Sequence, residues 1–301
     1  MFRVALKKIY KIIPMKGFLF SLLKSFYIPS RSIYQHLTFE GVVDLNLDDN
    51  KFKIYNPGTL IENQLFWNGI NGFEPNSLRI WIKLCKNSNT ILDIGANTGV
   101  YSLLAKSVNN LSTVHAFEPV ERVYKLLERN SLINNFDIIS HNKAVSNYDG
   151  VGMFYDDDEK HTTSVVINRD RSSEKGLHKV ETQVVKLDTF ITINNIKNID
   201  LIKMDVELHE PEAIEGFTEN LEKMRPTIII EVIRDYVSSA LQEHFSGLDY
   251  NYFYINEPFG GGDYNHDTHA NGYIRVESLI NCKLGNYLIC QDNIVKDMNL
   301  V

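Results

Sequence analysis

A chain of 301 residues, 44% hydrophobic and 23% charged, can bury a full core, which excludes a disordered segment or a small disulfide scaffold. No nucleic-acid partner is expected of a chain with net charge −7. Cys85, Cys282 and Cys290 are scattered, odd in number and without metal-ligand spacing, so they read as free thiols in a reducing compartment and point to a cytoplasmic address.

The charge is uneven along the chain. Residues 1–39 hold Arg3, Lys7, Lys8, Lys11, Lys16, Lys24 and Arg31 and no acid, so this arm carries +7 and the remainder −14. Interleaved Ile9, Tyr10, Ile12, Ile13, Phe18, Leu19, Phe20, Leu22 and Leu23 make it amphipathic. Two readings stay open: a helical pair packed on the domain, favoured because core-facing helices are commoner, and a segment resting on the anionic inner face of a membrane. The apolar run Gly17 to Leu23 is too short to span a bilayer, which needs roughly 20 apolar residues, and it makes a poor signal peptide. Phe39 to Tyr55 then alternates as a hairpin does, with Asp48-Asp49-Asn50 as its turn. Ile61 to Gly72 is helix-like and carries Glu62, Phe66 and Trp67, and Ser77 to Cys85 reads as a helix. Residues 1–75 are therefore expected to form an N-terminal helical and hairpin extension, and 76–301 the main domain.

The main domain opens on ILDIGANTGVYS, Ile91 to Ser102. An apolar strand ends on Asp93, and Gly95 and Gly99, with Ala96 and Asn97 between them, turn the backbone into a helix over Val100 to Ser107. Backbone N–H groups and the helix amino terminus face such a crevice, and the acid suits a cationic ligand better than a pyrophosphate. The G-x-G-x-x-G fingerprint of dinucleotide sites is absent. A second strand, Ser112 to Phe117, ends on Glu118 and Pro119, where an acid can accept both hydroxyls of a ribose. Val120 to Asn134 is a helix. A third strand, Ile138 to Asn142, leads into NKAVSN, with Asn142 and Ala144 at an edge suited to an adenine ring. A fourth, Asp200 to Met204, leads into Asp205-Val206-Glu207. Four polar strand ends on one edge of a parallel sheet define a crevice.

Through ILDIGANTGVYS, AFEP, NKAVSN with the following Tyr148-Asp149-Gly150, and KMDVELHE, the chain resembles the FkbM-type family of S-adenosylmethionine-dependent methyltransferases from about Phe39 to about Tyr236. The resemblance implies an α/β, Rossmann-like class I methyltransferase fold, with a seven-stranded, mostly parallel sheet, its last strand antiparallel, and helices on both faces. It implies S-adenosylmethionine as cofactor and Asp93, Gly95, Ala96, Asn97, Gly99, Glu118, Pro119, Asn142 and Ala144 on the cofactor side. The fourth motif departs from the family's K-x-D-x-E-G-x-E, having Leu208 and His209 where a glycine and a small residue are expected.

Asp205 and Glu207, two residues apart, face the same way if the strand persists, and either can orient or deprotonate an acceptor hydroxyl; Asp205 is the first candidate. Their structural alternative is an ion pair with Lys203 or Arg234. Glu231, ending a fifth strand over Thr227 to Val232, could join Asp205 around a divalent cation, but the acids are scattered and no metal is expected. His209, His161, His266 and His269 are alternative bases. Asp156 to Lys175 reads as an exposed excursion before a strand over Val180 to Lys186 and a helix beginning near Leu187. A helix over Pro211 to Met224 and closing strands Tyr252 to Ile255 and Tyr287 to Cys290 complete the domain. Between them GGGDYNHDTHANGY, Gly260 to Tyr273, carries side chains of the kind that grip polyhydroxylated ligands, or is a surface turn. The resemblance to the FkbM-type family implies O-methylation of a sugar, a glycan or glycolipid precursor, or a specialised metabolite. A nicotinamide oxidoreductase and a non-catalytic cofactor-binding protein are the alternatives.

Overall fold

The computed structural model describes residues 15–157, 177–258, 272–280 and 283–300. The first fourteen residues of the basic arm, the excursion from 158 to 175, the glycine-rich loop up to 271, and with them Cys282, His161, His266 and His269, lie outside the described residues.

The chain enters through α1 (Lys16–Phe26) and the hairpin β1 (Gly41–Leu47) and β2 (Asn50–Asn56). Leu47 pairs with Asn50 across a two-residue turn in which Asp48 and Asp49 have φ of 46° and 71°. Two left-handed residues give the turn whose twist matches that of the strands, and aspartate tolerates that backbone better than most side chains. The hairpin alternates as its sequence does, burying Val43, Leu45, Leu47, Phe52 and Ile54. α2 (Leu60–Asn68) follows, then a single 3-10 turn, and α3 (Pro75–Cys85) has proline at its first position, where its missing N–H costs nothing.

The main sheet begins with β3 (Thr90–Ile94), α4 (Val100–Val108), β4 (Thr113–Phe117), α5 (Glu121–Asn134) and β5 (Ile139–His141). The chain then leaves it for a three-stranded sheet of β6 (Lys143–Val145), β7 (Gly150–Asp157) and β8 (Leu177–Val185). It returns through α6 (Leu187–Ile193), β9 (Leu201–Met204), α7 (Glu210–Glu215), α8 (Thr218–Met224), β10 (Thr227–Val232), α9 (Asp235–Phe245), β11 (Asn251–Ile255), β12 (Tyr273–Val276), β13 (Gly285–Cys290) and α10 (Asp292–Asp297). The order across the sheet is β12-β11-β13-β10-β9-β3-β4-β5. β3 lies between β9 and β4, parallel to both, while β13 runs antiparallel to β10 and β11.

Each face of this sheet carries its own core. Ile91 and Ile229 belong to a core that also takes Trp81, Leu103 and the hairpin, whereas Leu92, Ile228 and Ile230 belong to one with Phe190, Ala213 and Leu241. Neighbouring residues of one strand point to opposite faces, so apolar runs without alternation are what helices on both faces demand.

Two expectations change. The sheet has eight strands among the described residues, because β12 adds an antiparallel edge beyond β11; its four residues hold Arg275, bury only Tyr273 and carry little apolar signal. The helix expected from Pro211 to Met224 is two helices. A Cβ on Gly216 would lie 2.0 Å from the Ser146 carbonyl oxygen, so the chain bends there against the backbone, and Asp188 accepts the N–H groups of Glu219 and Asn220 at 3.1 Å to restart the helix.

The hairpin is tied to the sheet by two asparagines of α5. Asn130 Oδ1 accepts the Tyr55 N–H at 2.7 Å while its amide donates to the Thr98 carbonyl at 2.8 Å, and Asn134 Oδ1 accepts the Lys53 N–H. These side chains cover a strand edge that would otherwise present unpaired N–H groups. Asn130→Ala strands partners at both ends, so it should lower stability by about 1–3 kcal/mol, read as a lower urea midpoint at unchanged slope.

Candidate active site

Between β3 and α4 the chain turns through five residues, of which Gly95, Asn97 and Gly99 have φ of 80°, 51° and 93°. Both glycines are required twice over. A Cβ on Gly95 would lie 1.9 Å from the Asp205 carbonyl oxygen and one on Gly99 2.5 Å from Leu127 Cδ1, so the protein itself occupies the space they leave. Glu118 fixes the turn from beyond β4, its two carboxylate oxygens accepting the Asn97 N–H at 3.0 Å and the Val120 N–H at 2.9 Å. Each oxygen keeps a further lone pair for a ligand hydroxyl. From below, Thr98 donates its hydroxyl to Glu62 of α2, which is fully buried and also accepts from Thr59.

The turn forms one wall of a cleft of about 230 Å³ at the carboxyl ends of the central strands. Asp93, Gly95, Ala96, Asn97, Glu118, Pro119 and Ala144 line it, and so do Asp205 and Glu207. Gly99 and Asn142 stand behind the lining. The Asn142 amide donates to the carbonyls of Glu118 and Pro119 at 2.9 and 3.1 Å, which positions those two residues. Burial pushes the Glu118 carboxyl up to about 7 against the pull of its two backbone donors. Burial likewise brings Asp93 to about 6, opposed by the Ser102 hydroxyl at 2.6 Å and by the Lys203 charge.

Beside the turn, Asp205 follows β9 and donates its N–H to the Ile94 carbonyl at 3.0 Å. Lys203, 1% exposed, reaches Asp205 Oδ2 at 3.2 Å and lies 5.1 Å from the centre of the Tyr101 ring, whose hydroxyl donates to Glu74 at 2.5 Å. Burial alone would lower the Lys203 ammonium, but Asp205, Glu74 and Glu231 hold it above the ordinary lysine value. Burial and then the Asp205 charge raise Glu231. Asp205, Glu210 and Glu231 bring oxygens within 4.8 Å of one another, the one such group of possible metal ligands among the described residues. The Lys203 ammonium already supplies positive charge beside them. His209 is turned away: it is buried, with Nε2 2.9 Å from Ser146 Oγ, and burial lowers its pKa.

After Asp205 the backbone is strained. Glu207 and Leu208 have φ of 55° and 74°, so Leu208 takes the left-handed conformation that glycine takes at no cost. The departure from the family motif changes the residue and keeps the turn, and Leu208 packs its side chain on the second core in return.

The sequence does not single out Glu74, just ahead of α3, Tyr101 of α4 or Lys143, which also line the cleft, and it presents Lys203 only as an ion-pair partner. A lysine inside an otherwise apolar four-residue strand, LIKM, was the signal available for Lys203.

Parallel strands ordered about a central β3, a closing antiparallel β13 and a cleft at their carboxyl ends define a Rossmann-like class I methyltransferase fold. The chain matches the model of the methyltransferase FkbM domain over residues 93–251, more than half its length, and belongs to that family. It is 23% identical over 158 residues to Methyltransferase 1 of Beauveria bassiana, covering 47% of this chain and 64% of that one. It is 23% identical over 165 residues to the hexuronic acid methyltransferase AglP of Haloferax volcanii, covering 53% and 62%. With the 31-O-demethyl-FK506 methyltransferase FkbM of Streptomyces tacrolimicus it shares 27% over 183 residues, 52% and 68% of the two chains. The match thus spans less than two thirds of the length of the first two relatives.

Two outcomes follow from this geometry. Leu208→Ala loses packing and keeps the strain, whereas Leu208→Gly loses packing and relieves it, so the glycine variant should be the more stable by about 1 kcal/mol in urea unfolding, the reverse of the usual order. Asp93 and Glu118 have pKa values raised to about 6 and about 7 from 3.8 and 4.5, so the folded chain keeps protons that the unfolded chain releases. Their contribution favours the fold at the acidic end and is lost as pH rises through about 7; urea midpoints compared at about pH 5.5 and 8 should show it, with a smaller difference in Glu118→Gln.

Proposed function

We propose that this protein transfers a methyl group from S-adenosylmethionine to a hydroxyl of a sugar, a glycan or glycolipid precursor, or a specialised metabolite. One observation carries the reading: Asp93 and Glu118, beside the Gly95–Gly99 turn, and Asp205, after the neighbouring strand, line the same cleft. The cleft chemistry fits the cofactor. Glu118 has lone pairs left for ribose hydroxyls, Ile94, Phe117, Ala144 and Val145 offer apolar surface for an adenine, and the acids suit a cation. When bound, S-adenosylmethionine supplies an electrophilic methyl group on a sulfonium.

Asp205 then acts on the acceptor. Its carboxylate would accept the proton of the acceptor hydroxyl, and Lys203, held by Tyr101 and the surrounding acids, keeps that carboxylate in place. A relative named for a 31-O-demethyl compound supports transfer to oxygen, and one named for hexuronic acid supports a sugar-derived acceptor. The nicotinamide alternative is disfavoured by the missing G-x-G-x-x-G, and a binding-only protein by Asp93, Glu118 and Asp205 gathered along one cleft.

Calorimetry with S-adenosylmethionine and with NAD tests the cofactor, and binding of NAD alone would overturn the reading. Glu118→Ala should weaken S-adenosylmethionine binding by about 1–3 kcal/mol. Asp205→Asn should lower turnover roughly 10²–10⁴-fold in a methyl-release assay with sugar and lipid-linked acceptors and leave cofactor affinity nearly intact. Glu207→Gln, measured alongside, shows which of the two carboxylates serves the acceptor.

A further inference from the structure

The helix α1 is mounted with its polarity reversed. Gly17, Phe20 and Lys24, spaced along one face, meet the rest of the protein. A Cβ on Gly17 would lie 3.1 Å from the Phe39 ring, and Phe20 packs 5.9 and 5.6 Å from the ring centres of Phe39 and Trp67. The Lys24 ammonium donates to the Phe66 carbonyl and lies 5.2 Å from the centre of the Phe66 ring. A lysine thus faces inward and fixes the rotation of the helix. Outward go Phe18, Leu19, Leu22, Leu23 and Phe26, with Phe18 62% and Phe26 84% exposed, and no residue of the helix is buried. Tyr27, Ile28 and Ile33, next along the chain, are exposed as well. Single exposed apolar residues are ordinary, but a continuous run of this size marks a binding surface.

The charge around it selects the occupant. Residues 1–39 carry no acid and, besides the inward Lys24, six cations, while the rest of the chain carries −14. An apolar helix face inside a basic segment meets both of its demands at an anionic bilayer, where side chains enter the acyl boundary and cations meet the headgroups. The acidic body is repelled from that same surface, which leaves the α1 side to approach it. We propose that α1 docks this protein on an anionic lipid bilayer through Phe18, Leu19, Leu22 and Phe26. No helix among the described residues is long and apolar enough to cross a membrane, so the contact is peripheral.

The test is co-sedimentation of the full chain with vesicles of phosphatidylcholine alone or mixed with phosphatidylglycerol. The protein should pellet with the mixed vesicles, release as salt rises, and largely ignore phosphatidylcholine. The triple variant Leu19→Ser, Leu22→Ser, Phe26→Ser should lose at least about tenfold in partitioning, at an unchanged unfolding midpoint. Phe26→Ser alone, at the most exposed position, replaces it if the triple variant is destabilised and should show a smaller loss of the same kind. Indifference of the wild type to anionic vesicles at low salt would overturn the proposal, as would equal binding by the variants. So would a wild-type dimer in sedimentation velocity that the triple variant makes monomeric, since a second copy would then be the cover.

Discussion

The contact between Gly95 and the carbonyl of Asp205 governs the architecture of the cleft. β3 and β9 are parallel neighbours, so their ends emerge side by side, and the Asp205 N–H closes on the Ile94 carbonyl. With a Cβ excluded at 1.9 Å, the turn and the segment bearing Asp205 pack backbone against backbone along one seam. The strained pair Glu207 and Leu208 sits just beyond this seam, which is where the backbone has to leave the sheet without disturbing it.

Electrostatics in the cleft follow from burying many acids around one base. Asp93, Glu118, Glu210 and Glu231 all have raised pKa values, with burial the largest cause for each, while Lys203 is held charged by its neighbours. A cleft of this composition prefers a ligand that brings positive charge, because such a ligand restores the ionised form of the acids around it. Glu210 caps the arrangement by accepting the Val206 N–H at 3.0 Å, tying the fourth strand end to the helix that follows.

The elements read most clearly from sequence are those whose signal is local. β3, β4, β9 and β10 are apolar runs closed by a polar group, and the hairpin announces itself by alternation and two aspartates. What stayed hidden depends on distant partners. Gly216 breaks a helix because Ser146, far away in the chain, touches its backbone, and Glu74 and Tyr101 reach the cleft only because α3 and α4 pack as they do. Asn142 lies in a motif, yet its amide serves the carbonyls of Glu118 and Pro119, a role that needs the strand ends to be placed first. Leu208 was visible as a departure from the family pattern, but only its φ of 74° shows that the turn survives.

The asparagines that cover β2 lie 75 and 81 residues after the groups they bind. During synthesis the hairpin therefore leaves the ribosome long before α5 exists, with its edge uncovered and its apolar face without the helices it packs on. Glu62 waits in the same way for Thr98, 36 residues later. The order of birth runs against the order of burial, so the strand edges and apolar face made first stay uncovered until the first two β-α units have followed them out.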